Sequence, residues 1–169
     1  MDLKDYIGTI PDYPKPGITF RDISPLLAAP EAFRAAVDQM ASRWKTDIDG
    51  IAALDARGFI FAGALGYKLG LPAVMIRKSG KLPGETVSTS YSLEYGKASI
   101  EIQKNAFPKH SRVLIVDDVL ATGGTAKAAG RLVRAINCSV AGYAFVIELK
   151  ELNGRAALED AFIQSLAIY

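Results

Sequence analysis

The sequence predicts an α/β fold, an open and mostly parallel twisted sheet flanked by helices. Three observations predict it. Val113-Leu114-Ile115-Val116 is an unbroken β-branched and leucine run, which suits a strand buried on both faces. Val140 to Leu149 is a second apolar run of strand character. Strand-like runs alternate with segments of helical period, a pattern that calls for crossovers onto one shared sheet. With 169 residues, 50% hydrophobic and 22% charged, the chain can bury a core without staples. Residues 1-169 read as a single domain, with no internal repeat and no low-complexity linker.

In chain order, residues 1-30 are Pro-rich, with Pro11, Pro14, Pro16, Pro25 and Pro30, and read as an irregular arm lying over something else. Helix begins near Pro30-Glu31, where Phe33, Val37, Met40 and Trp44 form an apolar stripe of helical period. Ile48 to Leu54 reads as a strand, Phe59 to Leu69 as a helix stopped by Gly70, and Ala73 to Arg77 as a second strand. Lys78 to Glu85 has two Gly, one Pro and few apolar residues to anchor it, which predicts a mobile loop. Tyr91, Leu93 and Tyr95, then Ala98, Ile100 and Ile102, alternate with polar residues about Gly96, the pattern of a β-hairpin. A helix is predicted over about Gly124 to Ile136, between the strand at Val113 and the strand at Val140.

Composition narrows the function. The formal net charge of +2, from 20 basic and 18 acidic residues, provides no bulk field for nucleic acid or a membrane surface. Cys138 is the only cysteine, so neither an internal disulfide nor a cysteine metal site can form, and a reducing cytoplasmic setting fits. The start, Met1-Asp2-Leu3-Lys4-Asp5, is acidic where a signal peptide needs positive charge, and apolar runs fall short of the ~18 residues that span a bilayer. His110 is the only histidine, which leaves no material for a zinc cluster.

In open α/β sheets ligands sit beyond the carboxyl ends of the strands, so chemistry is expected at Asp55 to Gly58, Arg77 to Glu85 and Asp117 to Thr125. The third is the most informative. A buried strand leads into Asp117-Asp118, and Ala121-Thr122-Gly123-Gly124-Thr125 then opens a helix. Gly123 and Gly124 let backbone N–H groups close on an anion at the helix N-terminus, where the helix dipole also favours negative charge. Thr122 and Thr125 add hydroxyls. The loop calls for a phosphate monoester, and the two acceptor-only carboxylates call for hydroxyl donors, a metal, or both. A ribose 5-phosphate offers both halves. No Lys follows the Gly pair as in a Walker loop, and no G-x-G-x-x-G occurs.

Asp117 to Thr125 resembles the phosphoribosyl diphosphate signature of the type I phosphoribosyltransferases. Further segments resemble the adenine-using branch of that family: Pro16 to Pro25 with Phe20-Arg21-Asp22, Ala56-Arg57-Gly58-Phe59, Arg77 to Gly84, and Leu93-Glu94-Tyr95-Gly96. The resemblance implies that fold, with an N-terminal hood formed by the arm and a flexible β-hairpin loop. It implies transfer of the phosphoribosyl group from phosphoribosyl diphosphate to adenine in a homodimer, with magnesium carried mainly by the substrate rather than by a protein cage.

Site roles follow from the same resemblance. Asp117 and Asp118 would face the ribose hydroxyls, and Ala121, Thr122, Gly123, Gly124 and Thr125 would hold the 5-phosphate. Arg57 would sit by the pyrophosphate, in a loop held by a non-proline cis peptide; a salt bridge to nearby Asp55 is its simplest other use. Arg77, Lys78 and Lys81 would belong to a lid over the diphosphate, with one cation reaching the neighbouring subunit. Glu94 would handle a proton on the purine. Thr19, Phe20, Arg21 and Leu149 would form the base pocket, with backbone groups of the arm reading the edge of the base. Thr19 stands where the family commonly has Val, so hypoxanthine, guanine or xanthine remain alternative bases. A catalytically inactive regulator sensing phosphoribosyl diphosphate would need a nucleic-acid-binding domain or a basic face, and the sequence shows neither.

Overall fold

The computed structural model describes residues 1–92, 97–158 and 161–169. Its sheet has seven strands, and its parallel centre is built from β3 (Gly50–Leu54), β4 (Ala73–Lys78), β7 (Arg112–Leu120), β8 (Ser139–Glu148) and β9 (Ile163–Ile168). An antiparallel hairpin, β5 (Thr86–Ser92) and β6 (Lys97–Gln103), extends it, so that the order is β5-β6-β4-β3-β7-β8-β9. Helices α2 (Pro30–Arg43) and α3 (Gly58–Leu69) cover one face, and α4 (Gly124–Ala135) covers the other.

Alternation along the central strands explains the two-sided core. On β3, Ile51 and Ala53 pack toward α2 and α3 while Ala52 and Leu54 pack toward α4. On β7, Leu114 and Val116 take the first side, Val113 and Ile115 the second. On α2 the buried stripe is Ala32, Ala36, Val37, Met40 and Ala41, with Phe33 only half-buried and set against Phe61. Trp44, just past the helix, is buried, and its indole N–H donates to Gln164 Oε1 at 2.8 Å.

Three elements differ from the sequence expectation. The arm is not wholly irregular: β1 (Gly8–Ile10) and β2 (Phe20–Asp22) pair antiparallel, and α1 (Ser24–Ala28) follows. Strand β9 ends the chain on β8, reached through 3-10 turns at Lys150–Leu152 and Gly154–Leu158 rather than an α-helix. Finally β7 runs four residues past Val116, where its pairing with β3 stops, and continues on β8 alone. The two aspartates therefore lie within the strand, on a stretch that is unpaired toward β3.

Candidate active site

From β3 the chain moves through α3 to β4, and from β7 it moves through α4 to β8 on the opposite side. The connections diverge between these neighbouring strands, which opens a crevice beyond their carboxyl ends. The loop after β3 supplies Arg57, and the overhanging part of β7 supplies Asp117 and Asp118.

Successive strand residues face opposite ways, and the two acids are divided accordingly. Asp117 is half-buried and lines the hollow formed by the loop after β7, while its Oδ1 accepts the Asp118 N–H at 2.9 Å. Asp118 is buried, with Oδ2 2.9 Å from Arg57 Nε. That approach is an ion pair without an aligned hydrogen bond, because Asp118 Oδ2 is left with no hydrogen-bond partner. Burial, and then the charge of Asp118, push the Asp117 carboxyl well above the usual carboxylate range. Burial also raises Asp118, and the Arg57 guanidinium opposes that rise. Asp118 Oδ2, buried and without a hydrogen-bond partner, is left open to a donor from a ligand.

The hollow beside Asp117 is lined by Val119 to Ala126 and Phe145 and measures about 80 Å³. A hollow this small is on the scale of a phosphate group rather than of a whole nucleotide. All five loop residues, Ala121, Thr122, Gly123, Gly124 and Thr125, line it. Helix α4 starts there from Gly123, whose left-handed φ of 82° suits glycine and which has no side chain to cap the helix.

Behind this loop stands Gly154, a residue that sequence reasoning missed. A Cβ on Gly154 would run into the Ala121 carbonyl oxygen, and one on Gly123 would lie 2.5 Å from the Gly154 carbonyl oxygen. The backing segment is clamped by Arg155, whose Nε and Nη2 donate to Glu148 Oε1 and Oε2 at 2.6 and 2.7 Å. Replacing Gly154 with Ala is expected to displace the loop at Ala121 to Thr125 and to weaken the binding of a phosphate ligand there about tenfold or more. Calorimetric titration of both proteins with ribose 5-phosphate checks this.

Two of the cations, Arg57 and Arg77, pair with acids at the ends of these strands, and not in the way expected. Asp55 pairs with Arg77 at 3.0 Å and not with Arg57, which pairs with Asp118. The Asp55–Ala56 peptide is cis, as the resemblance implied. Lys78 and Lys81 are exposed at the end of β4 and in the following turn. That turn has an anchor its sequence does not reveal. Glu101 of β6 is buried, and its Oε1 accepts the N–H groups of Gly80, Lys81 and Leu82, each at 3.0 Å. The stretch 86–92 is strand rather than loop, and Arg131 of α4 donates to its Ser90 carbonyl at 3.2 Å. Glu94 lies outside the described residues.

On the base side, the Arg57 guanidinium carbon is 5.4 Å from the Phe20 ring centroid, which ties the arm to the cation and, through it, to Asp118. Tyr13 meets the same ring edge-on at 5.3 Å. Thr19 is exposed just before β2, and Leu149, half-buried after β8, donates its N–H to the Leu120 carbonyl at 2.9 Å. The Arg21 side chain is committed elsewhere, to Thr9 Oγ1 at 2.6 Å and over the Tyr169 ring at 3.9 Å. The structure therefore joins Phe20, Arg57 and Asp118 directly and gives Arg21 a role in holding the arm.

A parallel sheet with an acid pair at its switch point, a phosphate-sized loop after it and arginines across the crevice defines the phosphoribosyltransferase class. A family model described as the phosphoribosyl transferase domain matches residues 24–162. An adenine phosphoribosyltransferase of Parvibaculum lavamentivorans is 51% identical over 169 residues, 99% of this chain and 97% of the relative. The crystal structure of adenine phosphoribosyltransferase from Thermoanaerobacter pseudethanolicus superposes with a TM-score of 0.95 at 45% identity, covering 99% of this chain and 98% of the other. The Saccharomyces cerevisiae enzyme, complexed with an imino-altritol bisphosphate and adenine, gives a TM-score of 0.93 at 41% identity, covering 97% and 96%. This chain belongs to the adenine phosphoribosyltransferase family.

Proposed function

We infer that the protein is a transferase that moves the 5-phosphoribosyl group from phosphoribosyl diphosphate to adenine, giving AMP and pyrophosphate. One observation carries the reading most strongly: the half-buried Asp117 and the buried Asp118, whose Oδ2 lacks a hydrogen-bond partner, lie between a phosphate-sized hollow and Arg57. Ribose hydroxyls, 5-phosphate and pyrophosphate match these three features in order. Related enzymes support it, since the Trypanosoma brucei structure, 26% identical, is in complex with AMP, pyrophosphate and ribose-5-phosphate.

In this mechanism the loop from Ala121 to Thr125 fixes the 5-phosphate, and Asp117 and Asp118 fix the ribose through its hydroxyls. Arg57, Arg77, Lys78 and Lys81 gather the diphosphate. The bond from the anomeric carbon to the diphosphate oxygen breaks with its electron pair leaving on pyrophosphate, and the purine nitrogen forms the new bond as it gives up its proton. The carbon between them becomes cation-like, and the two carboxylates stabilise that charge. Glu94 receives or relays the purine proton. Phe20 and Leu149 clasp the base, backbone groups at Thr19 and Arg21 read its edge, and covering the crevice keeps water from the cation.

Among the described residues no three His, Cys, Asp or Glu side chains converge on a metal position. Asp117 and Asp118 offer hard carboxylate oxygens that would fit a magnesium ion brought in with the substrate. When bound, it offsets the charge on the leaving pyrophosphate. No helix among the described residues is long and apolar enough to cross a membrane, and a cytoplasmic homodimer completes the reading.

The test is a base panel. Protein, magnesium and phosphoribosyl diphosphate are mixed with adenine, hypoxanthine, guanine, xanthine or orotate, and nucleotide and pyrophosphate are followed. AMP is expected to form far faster than any other nucleotide. Faster turnover with another base would overturn the adenine assignment and point first to Thr19.

A further inference from the structure

Glu101 belongs to β6, on the hairpin side of β4, and none of the roles assigned so far needs it. Yet it is one of few buried charged residues among those described, and it is aimed at the turn after β4. One oxygen accepts three consecutive backbone N–H groups, those of Gly80, Lys81 and Leu82, at 3.0 Å each; the other accepts the Thr86 hydroxyl at 3.3 Å. Three adjacent N–H groups converging on one point form an anion nest, opened here by Gly80 at a φ of 84°. The chain fills this nest with its own carboxylate. A neutral acceptor gives a weaker grip, because hydrogen bonds to an ionised acceptor are roughly twice as strong.

The turn held in this way joins the cationic side of the crevice. The Lys81 carbonyl accepts Arg77 Nη1 at 3.5 Å, Arg77 Nε donates to Asp55 Oδ2 at 3.0 Å, and Asp55 opens the loop that carries Arg57. Arg77 stands directly opposite Glu101 in the β4–β6 register, but its hydrogen bonds run to Asp55 and Lys81, while the Glu101 oxygens take the turn and Thr86. Glu101 therefore sets the height and direction of the Lys81 backbone, and that carbonyl helps to orient Arg77.

We propose that Glu101 is a positioning residue for the pyrophosphate half of the site, holding the turn at residues 80–82 so that Lys81 and Arg77 face the diphosphate together. It does not touch the substrate. This inference rests on the phosphoribosyl diphosphate reading above and names the residue that organises one half of that site. Because the 5-phosphate and ribose are held from β7 and α4, loss of Glu101 acts on one half of the ligand and spares the other.

The experiment titrates phosphoribosyl diphosphate with magnesium, and separately ribose 5-phosphate, into the wild type, Glu101→Ala and Glu101→Gln by calorimetry. Glu101→Ala is expected to raise the Kd for phosphoribosyl diphosphate about tenfold and to leave that for ribose 5-phosphate within about twofold. Glu101→Gln keeps a neutral and therefore weaker acceptor at the nest and is expected to raise the same Kd about threefold, again sparing ribose 5-phosphate, so that it tests the proposal alone should the alanine variant fail to fold. Equal weakening of both ligands, no weakening of either, or a glutamine variant no better than alanine would overturn the proposal. A wild type that does not bind phosphoribosyl diphosphate would overturn the reading on which this rests, whereas a wild type that binds it beside variants that bind it equally well would overturn the role of Glu101 alone.

Discussion

Replacing Asp117 with Asn is expected to lower kcat/KM for phosphoribosyl diphosphate by about 10²- to 10³-fold while making the ligand-free protein more stable near pH 8. The activity loss follows from the exchange of a charged acceptor for a neutral amide beside a cation-like carbon. The stability gain follows from the environment, since burial and the neighbouring Asp118 charge raise the Asp117 carboxyl well above its ordinary value. A carboxyl raised in the folded state favours folding fully at pH values below its unfolded value, and that benefit is lost as pH rises through the folded value. The penalty is therefore larger at pH 8 than at pH 5. Asn keeps Oδ1 for the Asp118 N–H, 2.9 Å away in the wild type, and removes the charge. The gain is on the order of 1 kcal/mol, about 2–4 °C in Tm for a chain of this size. Melting curves of both proteins at pH 5 and pH 8 check it, with the difference between them wider at pH 8.

Removing Arg57 is expected to lose both stability and activity, and a second substitution returns only the first. In Arg57→Ala, the buried Asp118 loses the guanidinium 2.9 Å away that favours its charge. A broken buried pair costs ~3–5 kcal/mol, but Arg57 is 43% exposed and Asp118 can take up a proton, so about 1–2 kcal/mol is the expected loss. Adding Asp118→Asn removes the stranded charge and is expected to restore the melting temperature. Turnover stays at least about 10²-fold down in both variants, because the diphosphate has lost its guanidinium in each. A double variant that melts as low as the single one would show that the ion pair is not what Arg57 contributes to the fold.

The acid pair, the phosphate loop and the central strands were legible because each is local. An unbroken apolar run, two adjacent acids and a Gly pair before a helix all lie within Val113 to Thr125. What was hidden is long-range. The turn after β4 looked unanchored because its anchor, Glu101, is some twenty residues downstream on a strand where an acid reads as solvent-facing. Gly154 and the Glu148–Arg155 clamp bear on the phosphate loop only after β7 and β8 have paired, which no local pattern announces. The partners of Arg57 and Arg77 could not be read from spacing, since Asp55 is the nearer acid to Arg57 in sequence but is taken by Arg77. Strand β9 was missed because its burial is only partial along most of its length and its sequence, Ile163-Gln164-Ser165-Leu166-Ala167-Ile168, carries no unbroken β-branched run.

The central claim is that this crevice passes a phosphoribosyl group between a base and pyrophosphate without losing it to water. Running the reaction backwards tests it most directly. AMP, pyrophosphate and magnesium are mixed with the protein and free adenine is measured, with and without pyrophosphate. The account predicts adenine release that needs pyrophosphate and is matched mole for mole by phosphoribosyl diphosphate. Adenine released equally well without pyrophosphate would make the protein a hydrolase of the nucleotide, and no release under either condition would contradict the transferase reading.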